Sequence, residues 1–320
     1  MKNRTKLIRA IPALLAALAL ALLAACGNVG GSGESGGGGG EGGGPTVTIG
    51  SKNFTEQYIL GELYAQALEA NGFTVERKLD LGSEQIADKA LQNGQIDMYP
   101  EYTGTALVAT LDYEGDPADL KTPEETYQKA KELYAQRDPA DTMLTPAPFN
   151  NSYGIFVRSE VAEEQDLETL ADLAEASQDL TFVSYSEFQN RSDGYKNMQE
   201  NYPALDFGEI RIVNQLGLRY QGLTGGEGDV GVGFTTDGQL ASDELVVMED
   251  PKGIWPFYYP APVVRTEVLE QNPEMRDILN EVSASLDVDT MRELNGQVDL
   301  EQEDPEDVAA EHLEDEGIVE

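Results

Sequence analysis

The chain has 320 residues, 59 of them acidic against 21 basic for a formal charge of −38, with a single Cys and a single His. A surface that acidic repels phosphate backbones, which excludes nucleic-acid partners, and one Cys with one His rules out an internal disulfide and leaves too few ligands for an ordinary zinc site. Hydrophobic residues at 40% suffice for the core of one large or two medium domains.

At the N-terminus Lys2, Arg4, Lys6 and Arg9 precede an apolar run over 11–25, so residues 1–25 are expected to be an export signal peptide rather than a membrane span. Leu23-Ala24-Ala25-Cys26-Gly27 resembles the bacterial lipobox, which implies that Cys26 is acylated and becomes the mature N-terminus. Residues 26–45 then form a lipid-anchored, Gly-rich linker with a root-mean-square reach of roughly 25 Å, enough to hold a folded body above a membrane. The excess of acids with so few lysines suggests a chain kept soluble in high salt.

The folded body reads as alternating strands and helices. A strand over 46–49 leads to a helix that Thr55 can cap, with Ile59, Leu60, Leu63, Ala67 and Leu68 on one stripe and Asn71-Gly72 as its stop. A second strand over 74–79, a helix over 83–93 and a third strand over 96–99 complete a βαβαβ unit, hence an α/β fold with parallel strands. Thr122-Pro123 opens a charged helix to about Arg137. After Pro146-Ala147-Pro148 the alternation restarts, with strands expected over 152–157, 180–184, 210–213 and 229–233 and helices over 167–176 and near Tyr195. A strand over 261–264 and three helical segments close the chain. The expected organisation is therefore lobe 1 over 46–147 and 257–320, lobe 2 over 148–256, with two crossings between them.

Asp97-Met98-Tyr99-Pro100-Glu101-Tyr102-Thr103 and Asp229-Val230-Gly231-Val232-Gly233-Phe234-Thr235 echo each other, each running from Asp through a short strand to an aromatic five residues on. Ligands in open α/β sheets bind beyond the carboxyl ends of strands, so Tyr102 and Phe234 would project from opposite lobes into one cleft; read as core aromatics, they would instead only pack. Tyr153, Tyr258 and Tyr259 stand at the other junctions. Several ring faces around one void suit a bulky, weakly hydrated cation, each contact contributing about 0.5–2 kcal/mol when desolvated. Lys52 and Arg191, at strand-to-helix turns, would suit a ligand carboxylate, although each alone is more often a surface or ion-pair residue.

Taken in order, Gly50-Ser51-Lys52-Asn53-Phe54-Thr55-Glu56-Gln57, Glu101-Tyr102-Thr103-Gly104-Thr105, Thr235-Thr236-Asp237-Gly238 and Pro256-Phe257-Tyr258 resemble the glycine betaine/carnitine/choline substrate-binding proteins of osmoprotectant ABC transporters. That resemblance spans residues 46–320 and implies the two-lobed type II periplasmic-binding-protein fold: each lobe a mainly parallel sheet flanked by helices, a two-stranded hinge, and a trimethylammonium ligand held between the lobes. It implies cage positions at Tyr102, Tyr153, Phe234 and Tyr258, carboxylate or polar contacts at Lys52, Thr105 and Arg191, and weaker candidates at Gln57, Asn151 and Glu187. Phe234 stands where Tyr is common in the family, keeping the ring face without the hydroxyl, which Tyr259 would be placed to replace; Asn151 stands where some relatives carry Asp. No metal or cofactor is implied. The implied partners are a quaternary ammonium solute, an ABC permease and the membrane through the N-terminal lipid, with the receptor a monomer on the outer face of the cytoplasmic membrane.

Two other readings remain at this level. A receptor of the same fold could take another small cation or an amino acid. A glycosidase could use Glu101 with Glu187, but acids are so abundant that such a pairing carries little weight, and a Ser-His-Asp triad would rest on His312 alone.

Overall fold

The computed structural model describes residues 44–241 and 244–319. The expected signal peptide, Cys26 and nearly all of the linker lie outside those residues. Strand β1 (Thr46–Gly50) is followed by the helix Thr55–Ala70, β2 (Thr74–Lys78), the helix Glu84–Gln92 and β3 (Met98–Tyr102). β1 pairs in parallel with both β2 and β3, as the βαβαβ pattern requires. The stripe Ile59, Leu60, Leu63, Ala67 and Leu68 is fully buried, and Gly72 closes the turn after the helix at φ 89°. Thr55 does not cap that helix. It sits inside it, and its hydroxyl donates to Asp299 Oδ1 at 2.6 Å, leaving Phe54 as the capping residue with no side-chain bond.

β3 runs three residues beyond the expected end at Tyr99. Pro100 reads as a strand breaker because it lacks a donor. Its partner across the sheet is Pro262, and because Thr103 N–H reaches Tyr259 O the alternation makes Pro100 and Pro262 a non-hydrogen-bonded pair, so neither missing N–H is needed between these two strands and β3 continues to Tyr102. After β4 (Asp141–Met143) the chain builds a second sheet from β5 (Tyr153–Arg158), β6 (Thr181–Ser184), β7 (Glu209–Ile212), β8 (Val230–Phe234) and β9 (Leu245–Val247), then returns through β10 (Pro260–Arg265) to the first.

The strand orders are β2-β1-β3-β10-β4 and β7-β6-β8-β5-β9. Four of the five strands in each sheet run the same way, so both sheets are mainly parallel with one reversed strand each: β10 runs antiparallel to β3 and β4, and β5 antiparallel to β8 and β9. The reason is the double crossing. A strand that arrives from the other half enters its sheet at the edge where the parallel strands end, and so must run away from it. Residues at the start of β5 and β10 therefore meet residues at the ends of β8 and β3, with Tyr153 opposite Phe234 and Pro260 opposite Tyr102.

The sequence echo is a structural one. Asp97 Oδ2 accepts from Thr48 N–H at 2.8 Å while Oδ1 receives Arg265 Nη1 at 3.3 Å; Asp229 Oδ2 accepts from Thr181 N–H at 2.9 Å while Oδ1 receives Arg158 Nη2 at 3.0 Å. In each half one Asp thus ties a parallel neighbour to the far end of the returning strand. The segment after β10 forms four helices rather than three, Thr266–Gln271, Met275–Ala284, Val288–Asp299 and Pro305–Asp315, and residues of all four join the core around Ile59 and Leu63. Also unforeseen were β4, β9 and the helices Ser159–Gln165, Ser186–Asn190 and Leu216–Thr224.

Asp97→Ala and Asp229→Ala should each cost about 1–3 kcal/mol, the penalty for stranding a backbone donor and an Arg partner together. Urea unfolding measures it, and an unchanged midpoint in either variant would remove that Asp from the account.

Candidate functional site

The sheet geometry determines which side chains converge. The turns after β1 and β6 carry Lys52, Phe54 and Tyr185, β3 and β8 end at Tyr102 and Phe234, β5 opens at Tyr153, and Tyr258 lies just before β10. These residues line one cavity of about 700 Å³. Of the expected residues, Lys52, Tyr102, Thr105, Asn151, Tyr153, Glu187, Arg191, Phe234 and Tyr258 line it. Gln57 does not: it is fully buried and its side-chain oxygen accepts from Lys52 N–H at 3.2 Å. Nor does Tyr259, whose carbonyl accepts from Thr103 N–H and whose N–H donates to the Thr103 hydroxyl. Sequence reasoning missed Phe54, Tyr185 and Arg219, all in the lining. Phe54 and Tyr185 follow strands directly, the same signal that singled out Tyr102, while Arg219 belongs to a helix that was not foreseen.

The rings form a connected set. Phe54 lies between Tyr102 and Phe234, nearly parallel to both, with centroids 6.2 and 5.9 Å away; Phe234 stacks on Tyr153 at 5.7 Å, and Tyr258 meets Tyr153 edge-on at 5.9 Å. Gly104 explains how Tyr258 reaches this position: a Cβ there would stand 2.8 Å from Phe257 O and 2.9 Å from the Tyr258 ring. Burial raises the hydroxyl pKa of Tyr102, Tyr153 and Tyr258 well above the ordinary value, so all three rings are neutral.

Two cations of the lining, Lys52 and Arg191, already have carboxylate partners. The Lys52 ammonium pairs with Glu101 Oε1 at 2.5 Å and stands 4.3 Å from the Tyr102 ring centroid, a cation–π contact. Burial raises the Glu101 carboxyl above its ordinary value, although Lys52 and the Tyr102 N–H pull the other way. Arg191 grips Asp193 through Nε and Nη2 at 2.8 and 2.6 Å, and its Nη1 reaches Glu84 at 3.0 Å. Burial works against its charge, yet the carboxylates of Asp193 and Glu84 hold the guanidinium well above its usual range. Asp193 also accepts the Tyr258 hydroxyl at 2.6 Å.

Behind the rings, the buried Glu56 carboxylate accepts from Tyr102 hydroxyl (2.7 Å), Asn151 Nδ2 (2.7 Å), Thr236 hydroxyl (2.5 Å) and Asn295 Nδ2 (3.1 Å). His312 stays outside the cavity lining and lies 3.0 Å from the Ser285 hydroxyl.

A cavity between two mixed sheets joined by two crossings defines a protein of the periplasmic substrate-binding class. Residues 45–315 match the substrate binding domain of the ABC-type glycine betaine transport system, and the chain belongs to that family, one of transport receptors rather than enzymes. It is similar to the glycine betaine-binding protein YehZ of Escherichia coli (strain K12), 35% identical over 283 residues, 85% of this chain and 90% of that one. A glycine-betaine-binding protein of Pseudomonas aeruginosa is 36% identical over 289 residues, 86% of this chain and 89% of that one. Among solved structures, a glycine betaine/carnitine/choline ABC transporter protein superposes with a TM-score of 0.72 at 29% identity, covering 85% of this chain and 99% of that one.

Asp237 holds the end of β8, accepting Phe234 N–H and the Tyr220 hydroxyl, each at 2.8 Å. Burial pushes its carboxyl up to about 7. The folded-state value therefore exceeds the unfolded one, and the stability this proton contributes is complete below about pH 4 and lost as pH rises through about 7. Unfolding midpoints of Asp237→Asn should fall less steeply between pH 4 and 7 than those of the parent. Parallel curves would show that Asp237 exchanges no proton on unfolding.

Proposed function

We propose that the chain is an extracytoplasmic receptor that binds a trimethylammonium osmoprotectant, of glycine betaine or choline type, and delivers it to an ABC permease. The observation that carries this reading is the ring set: Tyr102, Tyr153, Phe234 and Tyr258, drawn from both sheets and from the crossing between them, lining one cavity. A quaternary ammonium cannot donate ordinary hydrogen bonds, so polarisable ring faces are its natural partners and desolvate it at low cost. Phe54, inserted between Tyr102 and Phe234, adds a fifth ring. The Lys52 ammonium stands where the ligand's cation would, and binding exchanges one cation for the other on the face of Tyr102.

Lobe 1 comprises residues 46–147 and 257–320 and lobe 2 residues 148–256 in this reading, and the ligand joins them. Thr105, Asn151 and Glu187 supply polar contacts, and Lys52 and Arg191 the positive charge for a carboxylate; since both already hold carboxylates of the protein, the ligand has to share or displace them. Acylated Cys26 and the Gly-rich linker would keep the monomeric receptor at the outer face of the membrane, within reach of the permease, while separate subunits hydrolyse ATP.

Calorimetric titration of the purified protein, unfolded and refolded to strip carried-over ligand, tests this reading. One-to-one saturable binding of glycine betaine or choline is expected. Tyr102→Ala and Tyr258→Ala should weaken both ligands about 2- to 30-fold, the equivalent of one ring contact. No heat with either ligand in folded protein would overturn the proposal.

A further inference from the structure

Arg219 is the one cation of the cavity lining that makes no ion pair among the described residues. It lies on the helix Leu216–Thr224 and is 3% exposed. Its Nη1 donates to the carbonyls of Val213 and Asn214 at 3.2 and 3.3 Å, whereas its buried Nε has no partner. The guanidinium stands 4.2 Å from the Tyr185 ring centroid, and Tyr185 in turn lies 6.5 Å from Phe234. In a chain with 59 acids, a buried base left unpaired against a cavity is a conspicuous choice.

The surrounding charges do not neutralise it. Asp237 and Glu187 act on it at longer range, neither within ion-pair distance, and Asp237 is itself pushed up to about 7 by burial. Burial lowers the Arg219 pKa from its ordinary value, but a guanidinium keeps its proton in any protein environment. The cavity wall thus carries an uncompensated positive charge beside Tyr185. An anion there would be met by a charge-assisted hydrogen bond at no cost in broken pairs, unlike an anion at Arg191, which must compete with Asp193 and Glu84.

We propose that Arg219 with Tyr185 forms a second, distal anion subsite of this cavity, which receives the carboxylate of a trimethylammonium ligand whose cation rests on the cage. This inference rests on the cage reading above and adds its specificity. Tyr185 is the ring that meets both the cage ring Phe234 and the guanidinium, which sets the charge one ring away from the cage, so the subsite favours zwitterions with several carbons between nitrogen and carboxylate over glycine betaine, which has one.

The test is calorimetric titration of the refolded protein, Arg219→Gln and Arg219→Lys with 4-(trimethylammonio)butanoate, glycine betaine and choline. Arg219→Gln should weaken the butanoate at least about tenfold and choline less than about twofold, and Arg219→Lys should restore part of the loss. Choline serves as the structural control, because a merely structural Arg219 would depress all three ligands alike. Equal losses for choline and the butanoate, or an undiminished butanoate affinity in folded Arg219→Gln, would overturn the subsite and leave the cage standing. Failure of the parent protein to bind any of the three would overturn the cage and the subsite together.

Discussion

Glu56 is the constraint on which the site depends. Its carboxylate lies in the first turn of a helix packed on the first sheet, where negative charge is favoured, yet its four side-chain donors come from four separate segments. Tyr102 belongs to the end of β3, Asn151 to one crossing, Thr236 to the turn after β8 in the second sheet and Asn295 to the helix Val288–Asp299. A buried carboxylate left short of donors is costly, so these four segments are held to one arrangement. The Tyr102 hydroxyl is consumed in that arrangement, which leaves the ring rather than its polar tip to meet the cavity it lines.

The second principle of the site is substitution. In the reading proposed above, the Lys52 ammonium on Tyr102 and Asp193 and Glu84 on Arg191 hold with the protein's own groups the places a zwitterionic ligand would take. Binding is then an exchange, and its free energy is the difference between two sets of cation–π and ion-pair contacts rather than their sum. Arg219 stands outside that exchange, with nothing to release. The Glu84–Arg191 pair, which connects the helix after β2 to the residue capping the helix Ser186–Asn190, joins opposite charges of the cavity lining independently of any ligand.

Much of the architecture was legible because it follows from periodicity. The stripe of Ile59, Leu60, Leu63, Ala67 and Leu68 and the alternation of strands and helices are local properties, and aromatics at strand ends acquire meaning from the general placement of ligands in α/β sheets. The Asp97 and Asp229 echo pointed to two halves with one strand order. What stayed hidden depends on contacts distant in sequence. Pro100 reads as a breaker until Pro262 is seen opposite it, and Glu56 reads as one helix-starting acid among 59 until its donors assemble. Arg191 reads as a carboxylate ligand or as an ion-pair residue, and only the fold shows that Asp193 and Glu84 occupy it. Arg219 sits in a segment with Gly217, Gly222 and Gly225, which weakens any helical signal, so its approach to the cavity could not be read from spacing.

The central claim is that a trimethylammonium group replaces the Lys52 ammonium among rings contributed by both sheets. A crystal structure of the protein grown with glycine betaine or choline addresses it most directly. The account predicts ligand density within about 6 Å of the Tyr102, Tyr153, Phe234 and Tyr258 ring centroids, with Lys52 moved off the face of Tyr102. Ligand bound elsewhere on the molecule, with the Lys52 ammonium still over that ring, would contradict it.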